Sequence, residues 1–220
     1  MNDQELIELV YGRYTKASKA RLQAMIDACR YVEDKNIEGD IVECGVWRAG
    51  HIILARKILP SRVCWLYDTF SGMTEPSNYD HKPDGYPAMV SYRAKAAKGQ
   101  KWAEATRSEV EINLRMTNVF NTKLCKFVEG DVRKTLDDPL NVPDKIAILR
   151  LDTDFYDSTK KELEVLWPKL VDKGVLIVDD FHHWDGSRRA CQDYFIKNKI
   201  QQRWKRVGKD DPCVLHVKGD

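Results

Sequence analysis

The chain has 220 residues, with 36 Lys and Arg against 34 Asp and Glu, and a formal net charge of +2. That balance gives no electrostatic case for a nucleic-acid or membrane-surface partner, and no apolar run approaches the roughly 20 residues that span a bilayer. The length fits one domain with a substantial core. The cysteines Cys29, Cys44, Cys64, Cys125, Cys191 and Cys213 are scattered without a Cys-x-x-Cys pair. This argues against a zinc site and for a reducing, cytoplasmic setting. The N-terminus, Met1-Asn2-Asp3-Gln4-Glu5, has no basic-then-apolar pattern, so no signal peptide is expected.

Residues 1–35 read as two helices, the second carrying Leu22, Met25, Ile26, Cys29 and Val32 as one apolar stripe. We expect residues 1–38 to pack as a helical segment on a main domain spanning 39–220. Ile41-Val42-Glu43-Cys44 is the first strand, and Gly45 to Gly50 turns into a helix that stops before Pro60. Val63 to Tyr67 is the second strand, ending at Asp68. From Ser71 to about Gln100 the periodicity fails among Pro76, Pro83, Gly85 and Pro87. A stretch of that length suggests a functional lid, here about 73–100. Ser108 to Phe120 reads as a helix, with Ser108 and Glu111 spaced as a capping box. Lys126-Phe127-Val128 is the third strand. Ile146 to Leu149 and Val175 to Val178 are the next two, separated by a helix from Ser158 to Leu170. A helix over 187–198 and a hairpin from Trp204 to Val217 finish the chain. The alternation predicts an α/β fold: a doubly wound, mostly parallel, seven-stranded sheet with a C-terminal antiparallel hairpin.

The most informative residues sit at the carboxyl ends of the strands, where ligands bind in open α/β sheets. Asp152 and Asp154 follow one apolar run, and Asp179 and Asp180 follow the next. Four carboxylates aimed at one crevice need protons or a cation, and oxygen ligands suit Mg²⁺ or Mn²⁺. Each could instead cap the following helix. Glu43-x-Gly45 forms a glycine-marked turn, but the loop lacks both Gly-x-Gly-x-x-Gly and a Gly-Lys-Ser/Thr ending. Asp68 is placed to accept ribose hydroxyls or to brace a turn. Asp131, ending the third strand in Glu-Gly-Asp, is placed for an adenine amino group or for a plain turn. A glycine turn and two acids without a phosphate loop suggest an adenosine ligand of the S-adenosylmethionine type.

Val42 to Trp47, Asp68 to Met73, Glu129 to Val132, Leu149 to Thr159 and Val178 to Phe181 resemble, in order, the macrocin O-methyltransferase family. The resemblance runs from about Gly39 to Phe195 and is most specific in Leu149 to Thr159. It implies the Rossmann-like class I methyltransferase fold and metal-dependent methylation of sugar hydroxyls. By that resemblance Asp152, Asp179 and Asp180 bind Mg²⁺, and Glu43, Gly45, Asp68 and Asp131 line the S-adenosylmethionine pocket, with Ser71 as an added polar contact. Asp152 is the first candidate to take the hydroxyl proton, with Asp154 and His182 as alternatives. His182 could instead cap a helix or pack beside Trp184. The acceptor is expected to be a hydroxylated small molecule, chosen by a lid offering Tyr79, Tyr86 and Tyr92, or the lid is a solvated loop. The lid does not follow the family pattern, so the resemblance supports the reaction better than the substrate. The N-terminal helices or the edge strand offer surfaces for a homodimer. The competing readings are a catechol-type methyltransferase, a metal-dependent hydrolase, and a non-catalytic binding module.

Overall fold

The structure, a computed structural model, describes residues 1–219. Five apolar runs form the parallel part of the sheet: β1 (Asp40–Cys44), β2 (Cys64–Asp68), β3 (Cys125–Glu129), β4 (Ile146–Leu151) and β5 (Leu170–Val178). Two further strands, β6 (Lys205–Arg206) and β7 (Val214–Val217), complete the order β3-β2-β1-β4-β5-β7-β6. Strand β7 runs antiparallel to both β5 and β6. The sheet is the mostly parallel, seven-stranded arrangement that the sequence pattern predicts.

The continuous apolar runs have a simple cause. Every residue of β4 is buried, because helices cover both faces of the sheet. On one face, Ile41, Leu66, Ile148 and Ile177 pack with helices α1 (Asp3–Val10), α2 (Lys19–Asp34) and α3 (Gly50–Ile58). On the other, Val42, Leu149, Leu176 and Val178 pack with Leu163, Leu166 and Phe195. These three come from α7 (Tyr156–Leu166) and α8 (Asp185–Lys197). Alternate residues of each strand therefore feed separate cores.

Local details depart from the sequence reading. The segment 73–100 is not structureless: α4 occupies Ala88–Ala96. Its apolar residues do not gather on one face and only Ala88 is buried, so no helical period shows in the sequence. Helix α5 (Arg107–Met116) is capped by Thr106, whose hydroxyl accepts from the Glu109 amide, and not by Ser108. The sequence holds two overlapping cap patterns, Thr106/Glu109 and Ser108/Glu111, and the earlier one is used. A short helix, α6 (Val132–Thr135), follows β3. After α7 a 3-10 turn at Trp167–Lys169 leads straight into β5, which begins at Leu170.

The segment before α4 is pinned to the body by Asp80, which is only 2% exposed. One carboxylate oxygen accepts from the Tyr156 amide at 2.7 Å, so this segment supplies the cap that the start of α7 lacks. The other holds the Ser77 amide and hydroxyl. Gly186 is needed at the start of α8 because a Cβ there would stand 1.9 Å from Asp80 Oδ1.

We predict that Asp80→Ala leaves the Tyr156 amide unpaired and lowers unfolding free energy by about 1–3 kcal/mol. Urea denaturation measures the loss, and limited proteolysis should cut faster within 76–87. Parent-like stability with unchanged cleavage would mean Asp80 does not anchor this segment.

Candidate active site

The strand order reverses between β1 and β4, and the crevice beyond that pair is where an open α/β sheet binds ligands. A cavity of about 250 Å³ lies there, lined by residues from the carboxyl ends of β1 to β5. The Asp152 amide donates to the Cys44 carbonyl at 2.8 Å, locking the two strand ends together. Gly45 sits at φ +86°, and a Cβ there would stand 2.1 Å from the Asp152 carbonyl oxygen. Only glycine permits this turn to cross the neighbouring loop.

Arg150 governs the electrostatics. It is the penultimate residue of an otherwise apolar strand and is 1% exposed. Its Nη1 donates to Glu43 Oε1 at 2.7 Å and to Asp152 Oδ2 at 2.8 Å, while Nη2 donates to Asp179. Arg21, from α2, pairs with Asp179 from the other side, lies 3.9 Å from Asp180, and binds Asp211 at 2.8 Å. Burial alone would raise the Asp179 pKa, but these two guanidinium groups hold it below the ordinary carboxylate range.

The other acids respond to the same crowding. Burial, with the charges of Asp179 and Asp180 added, pushes Asp152 well up despite Arg150. Burial, then Asp180 and Asp152, does the same to Asp154. Burial and Asp179 raise Asp180. One carboxylate oxygen from each of Asp152, Asp154 and Asp180 lies within 4.8 Å of the other two. Asp154 reaches this position from a left-handed backbone, φ +68°. Of the three acids expected to share a cation, the structure gathers Asp152 and Asp180. It adds Asp154 and turns Asp179 toward the arginines.

On the cofactor side, Glu43 is 1% exposed, and its Oε2 finds no hydrogen-bond partner among the described residues. Burial raises its pKa to about 7 against the pull of Arg150. Next to it, the buried His51 is kept neutral, chiefly by burial and then by Arg150. Asp68 accepts from the amides of Trp47 and Phe70, each at 2.9 Å, and so braces the turns after β1 and β2. Asp131 lines the cavity, but it caps α6 and receives a two-pronged grip from Arg133. Burial works against its charge, and Arg133 still keeps its carboxyl below the usual range.

Two of the expected residues are not brought to the cavity. Ser71 is exposed beside the mouth, its amide donating to Thr69 Oγ1. His182 turns away after β5: its amide donates to the Pro212 carbonyl and its ring meets Phe181 edge-on at 5.0 Å. Tyr79, Tyr86 and Tyr92 do not line the cavity either. Tyr79 packs on Tyr156 at 4.6 Å, under Arg189. The walls come instead from Met73 and Trp102, at and just beyond the two ends of the 73–100 segment, and from Tyr14 to Ala17 and Arg21 of the N-terminal segment. Sequence reasoning missed these, and it missed Arg150. The signal for Arg150 was present: a charge inside a fully apolar strand requires partners.

Among the described residues no helix is long and apolar enough to cross a membrane, and all six cysteines are free and buried. The sequence matches the Macrocin-O-methyltransferase (TylF) family over residues 11–217. It is 30% identical over 205 residues to "Demethyldecarbamoylnovobiocin O-methyltransferase" of Streptomyces niveus, covering 90% of this chain and 73% of that one. It is 30% identical over 186 residues to "8-demethyl-8-(2,3-dimethoxy-alpha-L-rhamnosyl)-tetracenomycin-C 4'-O-methyltransferase" of Streptomyces olivaceus, covering 82% and 67%. The fold superposes on that of the O-methyltransferase NovP with a TM-score of 0.79 and 28% identity, covering 97% of this chain and 88% of that one. The chain belongs to the macrocin O-methyltransferase family, and the hydrolase and binding-module readings are set aside.

Two predictions follow from the buried charges. Arg150→Met strands three carboxylates and is expected to destabilise the fold by about 3–5 kcal/mol. Unfolding by guanidinium tests this, and parent-like stability would remove Arg150 as the keystone. The second concerns Glu162 on α7, fully buried beneath the Asp152–Asp154 loop, where it accepts from Thr153 Oγ1 at 2.9 Å. Burial raises Glu162 to about 8 and Glu43 to about 7. The unfolded chain ionises both at lower pH, so folding takes up protons in between. Stability is therefore highest at the acid end of that window and falls as pH rises through about 7 to about 8. Glu162→Gln should make that fall shallower in melts from about pH 5 to about pH 9. A slope equal to that of the parent would exclude a protonated Glu162.

Proposed function

From its place in that family, we propose that this chain transfers the methyl group of S-adenosylmethionine to a hydroxyl of a small, sugar-bearing acceptor, with Mg²⁺ or Mn²⁺ held by Asp152, Asp154 and Asp180. The observation that carries the reading is one cavity that presents two chemically distinct features. One is Glu43, whose buried oxygen without a partner suits the ammonium group of the methyl donor. The other is the convergence of three hard oxygen donors, which suits a hard divalent cation.

The residues divide the work accordingly. Glu43, drawn to its ionised form by an ammonium neighbour, would fix the amino-acid part of the donor. Asp68 keeps lone pairs for ribose hydroxyls beyond those that accept the Trp47 and Phe70 amides. Asp131 can meet an adenine amino group only while sharing its carboxylate with Arg133. Bound at the acidic end, a divalent cation would supply Lewis acidity toward an alcohol and orient adjacent oxygens of a diol. Asp152 is engaged by Arg150, whereas the charges closest to Asp154 are acidic. We therefore assign the hydroxyl proton to Asp154, at the carboxylate oxygen not given to the cation. The donor's sulfonium already activates the methyl group, so alignment of acceptor and donor is the remaining task. Two relatives, one named for a rhamnosyl 4'-hydroxyl and one for a 3''-hydroxyl of mycinamicin III, support a sugar acceptor here.

Calorimetric titration with S-adenosylmethionine, with and without Mg²⁺, is expected to give micromolar binding, followed by transfer to rhamnosyl or catechol test acceptors. Asp68→Ala should weaken donor binding by about tenfold or more, the loss of roughly two hydrogen bonds. Asp180→Ala should remove metal-dependent turnover while leaving the fold intact. No donor binding in either condition would overturn the donor assignment. Full turnover of Asp180→Ala would remove that residue from the cation site.

A further inference from the structure

Trp102 belongs to neither of the two cores that sandwich the sheet. Ala88, Phe155 and Trp184 form a third, small buried cluster, and Met73 and Trp102 pack against it. Three aromatic rings meet there in a closed triangle. Trp102 meets Phe155 at 6.2 Å and 77°, and Trp184 at 5.9 Å and 66°. Phe155 and Trp184 meet each other at 5.9 Å and 71°. Such edge-to-face sets are attractive beyond the area they bury, and they fix how each ring is turned. The backbone is held as well: the Trp102 carbonyl accepts from the Met73 amide at 2.8 Å. The next residue, Ala103, is left-handed at φ +51°, a conformation that a non-glycine residue keeps only under constraint.

This cluster faces two ways. Ala88, Phe155 and Trp184 are sealed, whereas Met73 and Trp102 are only partly buried, and both line the cavity. A large indole held rigid in a cavity wall is a surface for an apolar ring face. Its place relative to the acids follows from the chain. Phe155 directly follows Asp154, and the Trp184 amide donates to the Asp180 carbonyl at 3.0 Å. Both supports of the indole therefore hang from the loops that carry those acids. The candidates for ribose and adenine lie elsewhere: Asp68 ends β2 and Asp131 follows β3. We propose that Trp102 selects the acceptor: its indole stacks on the apolar C–H or aromatic face of the acceptor's ring, and the site favours acceptors that offer such a face. This role rests on the transfer reading above and names how its acceptor is recognised.

The test is steady-state kinetics of the purified full chain with S-adenosylmethionine, Mg²⁺ and either methyl rhamnoside or catechol, beside calorimetric titration of the donor alone. Each of these acceptors offers one ring face. Trp102→Ala should raise the acceptor KM by roughly tenfold or more, the worth of one good ring stack, with a smaller change in kcat. The donor's Kd should stay within about threefold of the parent, because the indole does not touch the donor. Trp102→Phe keeps an aromatic face and should hold KM within about threefold of the parent. Trp102→Leu fills the cluster with an apolar side chain but offers no ring, and should behave like Trp102→Ala. A purely structural role would make Trp102→Leu and Trp102→Phe behave alike. An unchanged KM in Trp102→Ala, or a loss confined to donor binding, overturns the acceptor role and leaves the transfer reading standing. No turnover of either acceptor by the parent overturns both.

Discussion

A guanidinium at the centre of a parallel sheet is the constraint on which the rest of the site depends. Arg150 has no route to water, and an unpaired charge at such depth would cost several kcal/mol. Its partners come from three adjacent strand ends: Glu43 of β1, Asp152 beyond β4 and Asp179 beyond β5. Register between these strands and the pairing of their acids are therefore one problem. A slip of β4 against β1 by one residue would turn Arg150 to the other face of the sheet and leave the carboxylates facing each other.

The acidic end nevertheless remains undercompensated. Glu43, Asp152, Asp154, Asp179 and Asp180 are five carboxyl groups, opposed by two guanidinium groups, Arg150 and Arg21, while His51 is neutral. Fully ionised, the group would carry three net negative charges. Burial and mutual repulsion push the carboxyls of Glu43, Asp152, Asp154 and Asp180 up, toward their protonated forms. A divalent cation is the other means of relieving such repulsion. Non-glycine residues in left-handed backbone conformations line the same cavity, among them Trp47 and Asp154. These strained turns hold side chains where regular strand geometry would not place them.

The strands and the acids at their ends were legible because a doubly covered parallel sheet must be apolar throughout, so each charged turn stands out against its strand. Sequence spacing says which strand end carries an acid. It does not say which way the carboxylate points once arginines compete for it. Hence Asp154 and Asp179 exchange places in the cluster. His182, only two residues beyond Asp180, leaves the cavity to pack on Phe181. Helix α4 was illegible for a different reason: it is largely exposed and has no apolar stripe to leave a period. The choice of Thr106 over Ser108 as a cap turns on backbone geometry that two equivalent patterns cannot distinguish.

The long segment between β2 and α5 was the natural place to look for acceptor choice, yet only residues near its two ends, together with the N-terminal segment, line the cavity. Between those ends the segment is committed elsewhere: Asp80 is tied to the start of α7, and Tyr79 is stacked between Tyr156 and Arg189. At the ends, the Met73 amide donates to the Trp102 carbonyl, and Trp102 leans edge-on against Phe155 and Trp184. Opposite lies the segment from Tyr14 to Ala17, with Lys16 over the Trp47 ring at 4.6 Å. This segment connects α1 to α2, and α2 carries Arg21. These cavity-lining residues are thus continuous with the helix whose Arg21 reaches Asp179 and Asp180. A change in the N-terminal segment that moved the cavity wall would therefore also move the charge beside Asp179 and Asp180.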